Sequence, residues 1–266
     1  MANLKIRPIN TGYVTMIPNQ YLYHHSVLPF RANVSSRAEQ FPVFTFLIED
    51  ADKLVLIDTG MAWTERADKY HHAGSVQPEG YAIYDQLAKI GYKPADIDTV
   101  VFTHLHWDHC FYMDKFTKAE YIVNAREYKF ALDPIPLYYK SFEAPQLGII
   151  RPFEGLKFTL VAGEQEIMPG LRVFETPGHS PGHMSVEIDT KQGKYICAGD
   201  SIFIPENLEP VPELHYDITP PGRFADIVAA WKSIAIQKKR MEDVNHILCT
   251  HGRNIEEWVK TKPVLG

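Results

Sequence analysis

The chain has 266 residues, of which 45% are hydrophobic and 23% charged, so it can bury a substantial core and is not disordered. Its formal charge of −6, from 27 Lys plus Arg against 33 Asp plus Glu, gives no footprint for binding nucleic acid or an anionic membrane. No uncharged apolar run reaches the roughly 18 residues of a membrane-spanning helix, and Met1 to Thr11 holds no apolar segment of signal-peptide length.

In chain order, Leu4 to Ile9, Tyr13 to Ile17, Val43 to Glu49 and Leu54 to Ile57 are β-rich runs separated by turn residues. Tyr81 to Ile90 has helical apolar spacing and stops at Gly91. Thr99 to Phe102 predicts a short buried strand, Tyr121 to Val123 a strand and Ala125 to Leu132 a helix. The proline-punctuated, aromatic stretch 133–153 breaks any regular pattern and predicts an inserted loop or cap. Strands resume at Phe158 to Val161, Leu171 to Glu175, Met184 to Ile188 and Tyr195 to Cys197. Phe224 to Ile236 is helical, with Lys238, Lys239 and Arg240 as a solvated, dipole-complementing end. His246 to Cys249 closes as a strand and Ile255 to Val259 as a helix. Clustered strands with few helices between them predict two mostly antiparallel sheets face to face with helices outside, an α+β αββα sandwich forming a single domain over residues 1–266.

Chemistry concentrates after the Thr99–Phe102 strand, in Thr103-His104-Leu105-His106-Trp107-Asp108-His109. In an extended segment His104 and His106 point the same way, and Asp108 and His109 can turn toward a second point if the chain bends. Imidazole and carboxylate suit Zn²⁺ and also Mn²⁺ or Fe²⁺. Three later strand ends each add a ligand-type residue beside glycine: His179 in Thr176-Pro177-Gly178-His179-Ser180-Pro181-Gly182-His183, Asp200 after Ala198-Gly199, and His251 before Gly252. A histidine-rich surface loop explains the first cluster alone but not its recurrence at strand ends. Cys110, Cys197 and Cys249 are odd in number and far apart, which predicts no disulfide framework and a reducing, cytoplasmic setting. Cys197 and Cys249 read as buried hydrophobes, and Cys110 as an inert neighbour of the site in preference to a nucleophile.

These motifs, with Leu56-Ile57-Asp58-Thr59-Gly60 ahead of them, resemble the metallo-β-lactamase superfamily from about Val43 to His251. Asp-Thr-Gly also marks aspartic proteases, a reading that leaves the histidines unexplained. The resemblance implies two mixed β-sheets face to face with helices outside. It further implies that His104, His106 and His179 hold one metal, Asp108, His109 and His251 another, and that Asp200 bridges them. Asp58 and His183 are then expected to hydrogen-bond near the ligands without binding metal.

Two cations sharing Asp200 would lower the pKa of a water from 15.7 to about 7 and polarise a carbonyl, which predicts hydrolysis. The His179-to-Asp200 spacing, the Thr-Pro-Gly-His run and Phe41-Pro42-Val43 look like the N-acyl-homoserine lactonase branch, whose members open lactone rings. By analogy a metal-bridging hydroxide attacks the ring carbonyl, and Asp108 carries a proton to the departing alkoxide. Two positions depart from that branch: Phe203 stands where a tyrosine is usual, and Cys110-Phe111-Tyr112-Met113 replaces a small Ala-Gly-Gly-Asn-like turn. Loss of such a donor can cost about 10²–10³ in rate, so a different lactone or another ester is expected. Thioester or other ester hydrolysis of glyoxalase II type stands second, and a non-enzymatic metal-binding protein third. Tyr21, Tyr23, Phe30, Tyr138, Tyr139 and Phe142 fall in irregular segments and either line an apolar pocket under a 133–153 cap or pack loops onto the body. Phe203, Trp107, Tyr138 and Tyr139 are the candidate pocket side chains. The partners expected are a small lactone or ester, with no nucleic acid or membrane, for a monomer or homodimer.

Overall fold

Burial alternates along β1 (Lys5–Met16) as far as Pro8, and after Asn10 the register slips, with the Asn10 side chain accepting from the Gly12 amide at 2.9 Å. The two strands predicted here are therefore one strand carrying a bulge, which adds twist without ending the pairing. In the computed structural model, which describes residues 3–266, β1 pairs antiparallel with β2 (Glu39–Glu49), whose residues are buried on both faces from Phe41 onward.

β2 continues antiparallel to β3 (Val55–Ile57), and from there β4 (Thr99–Val101), β5 (Glu120–Asn124) and β6 (Thr159–Val161) add in parallel. The second sheet runs β11-β10-β9-β8-β7, built from β7 (Gln165–Met168), β8 (Leu171–Glu175), β9 (Met184–Thr190), β10 (Gly193–Gly199) and β11 (Ile247–Cys249). Only its β10–β11 pair is parallel. Strand clustering alone predicts mostly antiparallel sheets. The parallel half of the first sheet follows from the long connections between its strands, since parallel neighbours need crossovers.

Between the sheets, Ile6, Phe46, Ile57 and Val101 of the first meet Val173, Val186, Cys197 and Leu248 of the second. The outer face of the first sheet (Leu56, Val100, Val123) is covered by Ile83 and Leu87 of α3 (Ile83–Lys89) and Ala131 of α4 (Ala125–Leu132). Across the molecule, Ile196 and Ile247 are covered by Ile234 of α5 (Ile227–Arg240). The layering is αββα. Two short helices, α1 (Pro18–Tyr21) and α2 (Thr64–Tyr70), lie among the loops, and α6 (Arg253–Thr261) follows β11. Arg240 is not merely solvated: its guanidinium pairs with Glu164 and Glu187. Segment 133–153 holds two single turns of 3₁₀-helix, Pro136–Tyr138 and Pro145–Leu147. Among the described residues no helix is long and apolar enough to cross a membrane.

Register places the ends of β3 and β4 side by side (Ile57 opposite Val101) and those of β10 and β11 likewise (Gly199 opposite Cys249). The loops that leave these ends, together with the one after β8, carry every ligand-type residue singled out above.

Candidate metal centre

Asp58, immediately after β3, adopts a left-handed backbone at φ 59° and turns its carboxylate under the loop that follows β4. Its Oδ1 accepts from the Thr103 amide at 2.8 Å, and its Oδ2 from the Thr103 hydroxyl at 2.7 Å and from His109 Nδ1 at 2.8 Å. That last bond orients the His109 ring so that Nε2 faces inward, where it would be the nitrogen offered to a cation. His251 is set in the same way, with Nδ1 donating to the Pro42 carbonyl at 2.9 Å.

Asp200 enters at the end of β10 through Gly199, at φ 54°, where a Cβ would lie 2.6 Å from His183 Nε2 and 2.9 Å from Thr103 Oγ1. Glycine is required there. The Asp200 amide donates to His183 Nε2 at 3.1 Å, so His183 is protonated on Nδ1, which donates to Thr176 Oγ1 at 2.8 Å. His183 thus holds the Asp200 backbone in place.

The convergence is tight. His104, His106 and His179 bring ligand atoms within 4.8 Å of one another, as do His104, His109 and Asp200, and again Asp108, His109 and His251. Asp200 lies between the groups: Oδ2 is 3.5 Å from His179 Nε2, and Oδ1 is 3.3 Å from both His109 Nε2 and His251 Nε2. Asp108 reaches the second group, with Oδ2 3.7 Å from His251 Nε2. His179 Nε2 and His106 Nδ1 face each other at 2.9 Å.

All seven side chains are buried, and His104 Nε2, His109 Nε2 and Asp200 Oδ1 have no hydrogen-bond partner among the described residues. Buried polar atoms are rarely left so, and donors of this type converging on common points fit divalent cations. Burial, and then the neighbouring imidazoles, hold His104 and His106 well below the usual imidazole pKa, and burial lowers His179 to about 4. These three are neutral, the form that binds metal. Around Asp200 the balance reverses. Burial lowers the His109 and His251 pKa values, but the adjacent carboxylates more than offset it, while those two imidazoles hold Asp200 well below the carboxylate range.

Sequence reading missed Glu127. It projects from the first turn of α4, fully buried, and accepts from the Leu105 amide at 3.2 Å, the Ser180 hydroxyl at 2.6 Å and the Gly182 amide at 3.0 Å. One carboxylate therefore ties the His104–His106 loop to the His179 loop, and a Cβ on Gly182 would run into the Glu127 backbone. The available signal was an acidic residue on the apolar face of a predicted helix. Cys110 is buried with its thiol pKa pushed far up, first by burial, which suits an inert neighbour.

Of the candidate pocket residues, Trp107 and Phe203 line the cavity over the cluster, together with Asp108, His106 and Tyr21. The Phe203 ring lies 5.3 Å from that of His179. Tyr138 stacks near His106 at 6.4 Å and Phe142 packs edge-on to it at 4.7 Å, but neither Tyr138 nor Tyr139 is among the residues lining this cavity or its larger neighbour. Phe30 is exposed, and Tyr23 borders a separate cavity beside Phe41 and Arg253. The cavity over the site shares Tyr21, His72, Trp107, Ser141 and Arg223 with a larger one of about 430 Å³. Segment 133–153 contributes Leu137, Lys140 and Ser141 to it, and it is not the apolar pocket expected from the aromatic residues, because His71, His72, Lys140 and Arg223 share its wall.

Comparison with known proteins agrees with this geometry. Residues 38–243 match the metallo-beta-lactamase superfamily model. The chain belongs to the metallo-beta-lactamase superfamily. It is 32% identical over 177 residues to the N-acyl homoserine lactonase AiiA of Bacillus thuringiensis subsp. kurstaki, spanning 63% of this chain and 67% of that protein. A solved N-acyl homoserine lactone hydrolase, with its product N-hexanoyl-L-homoserine at the catalytic metal center, superposes with a TM-score of 0.76 at 26% identity, covering 97% of this chain and 96% of that one. AidC, a dizinc quorum-quenching lactonase, shares the superfamily fold at a TM-score of 0.68 and 18% identity, over 95% of this chain and 88% of that one.

Proposed function

We infer that this protein is a metal-dependent lactonase, acting as a single domain on carboxylic-ester bonds. The observation that carries the reading is Asp200, whose two carboxylate oxygens face two histidine groups of a superfamily whose similar members include N-acyl homoserine lactonases. His104, His106 and His179 would hold one divalent cation and Asp108, His109 and His251 the other, with Asp200 between them and zinc as the metal best suited to these donors. Two such cations, when bound, ionise water near neutral pH and polarise an ester carbonyl.

The chain's own residues do the rest. Asp58 holds the His109 ring in its binding orientation, His183 fixes the Asp200 backbone, and Glu127 keeps two ligand loops at constant separation. Asp108 borders the cavity and would carry a proton to the ring alkoxide. Phe203 covers the site with an apolar ring and brings no hydroxyl, so carbonyl binding relies less on the wall than in the tyrosine-bearing relatives. Three free, buried cysteines support a reducing, cytoplasmic setting.

Metal-loaded protein should open γ-lactones with release of acid, followed by pH indicator, in preference to acyl thioesters and phosphodiesters. Cleavage of phosphodiesters or thioesters with no lactone opening would remove the reading.

A further inference from the structure

The charged side chains of the outer cavity are of one sign. Arg223 and Lys140 line it and no Asp or Glu does, although the chain as a whole carries a net charge of −6. Arg223 lines the inner cavity as well, and its guanidinium lies 5.2 Å from the centre of the Tyr138 ring.

Its backbone is fixed from both sides. The Gly222 and Arg223 amides both donate to the Tyr21 carbonyl, at 2.9 and 3.2 Å, and the Ala225 and Asp226 amides both donate to the carbonyl of Gly178, next to His179. The loop is thereby tied to the chain that carries a candidate ligand. The guanidinium itself has no carboxylate partner among the described residues. By contrast, the other buried or half-buried arginines (Arg7, Arg31, Arg66, Arg151, Arg172 and Arg240) each pair with one, and only the exposed Arg37 and Arg126 share its lack among the described residues. A half-buried, preorganised arginine with a free planar fork matches a carboxylate. With one arginine and one exposed lysine, the wall suits a single negative charge better than a phosphate.

We propose that Arg223 selects a lactone bearing a carboxylate, held in the outer cavity while the ring lies over the metal centre. The proposal rests on the lactonase reading for the ring and adds the chemistry of its substituent: an anion instead of a long acyl chain. Lys140, on segment 133–153, adds long-range attraction at the mouth.

The test pairs a γ-lactone carrying a carboxylate with its methyl ester, and separately measures binding of glutarate and butyrate to the metal-loaded full chain by calorimetry. In the native protein kcat/KM should favour the carboxylated lactone, and glutarate should bind more tightly than butyrate, each by about 10- to 100-fold, as one charge-assisted hydrogen-bonded pair would give. R223Q should erase both preferences with bound metal retained, lowering turnover of the carboxylated lactone far more than that of the methyl ester, and R223K should retain part of them because the charge remains. Equal turnover of both lactones by the native protein, or an equal fall for both in R223Q, overturns the proposal and leaves the lactonase reading standing. Arg223-dependent glutarate preference in a protein that opens no lactone would do the reverse, sustaining the anion site and sinking the ring chemistry.

Discussion

The candidate centre is assembled in two unlike ways. His104, His106, Asp108 and His109 come from one short loop after β4, whereas His179, Asp200 and His251 arrive singly from the ends of β8, β10 and β11. The loop residues are neighbours in any conformation. The other three meet only when the second sheet has paired and packed on the first, so cation binding by the full set is linked to folding of the whole sandwich. Each arm also has its own support: Asp58 holds the loop, His183 holds Asp200, and the Glu127 carboxylate spans both.

Removing the shared support should do most. Glu127→Ala leaves the Leu105, Ser180 and Gly182 donors unpaired in the interior, at about 1–3 kcal/mol for each. Thermal unfolding should show a large drop in Tm together with loss of bound metal. A variant with native Tm and native metal content would show that the loops hold their separation without it. Asp58→Ala acts on the loop arm only, freeing the His109 ring, and should weaken metal affinity or activity by about 10- to 100-fold while the chain stays folded by circular dichroism. If metal titration shows no change, the argument that Asp58 orients His109 fails.

The smallest effect lies outside the ligands, behind Trp107. Glu143 is fully buried, accepts from Arg66 Nε and Nη2 at 2.8 and 2.6 Å and meets His71 Nε2 at 2.7 Å, and the His71 ring stacks on Trp107 at 4.2 Å. Burial alone would raise the Glu143 pKa, but the Arg66 and His71 bonds more than offset it and hold the group below its ordinary 4.5. A carboxylate with a depressed folded pKa contributes stability above its unfolded value and loses it as pH falls through the folded value. The stability gap between the native protein and Glu143→Gln, from urea unfolding, should therefore be widest above pH 4.5 and close as the solution is acidified below it. A gap independent of pH would mean that Glu143 acts by shape alone.

The same division governs what could be read from the sequence. The His104–His109 run and the strand-end residues were legible because each follows an apolar strand and sits beside glycine, a local pattern. The helix at Ala125–Leu132 and the strand at Leu171–Glu175 were legible to the residue for similar reasons. Helix α2 was not, since Ala67 is its only buried residue and a charged turn carries little apolar period. Strand β7 was not, because it sits on a sheet edge with no fully buried position. Glu127, Glu143 and Arg223 owe their roles to partners tens of residues away, which a linear pattern does not encode. The polar outer cavity escaped for the same reason: its aromatic residues were visible in the chain, but not the cations that face them.

Metal stoichiometry across an Asp200→Ala exchange tests the two-cation centre most directly. Elemental analysis of the native protein should give about two divalent ions per chain, as two complete ligand groups require, and the Asp200→Ala protein should lose bound metal and lactone turnover together while remaining folded. Full metal content with undiminished turnover in that variant would contradict the account.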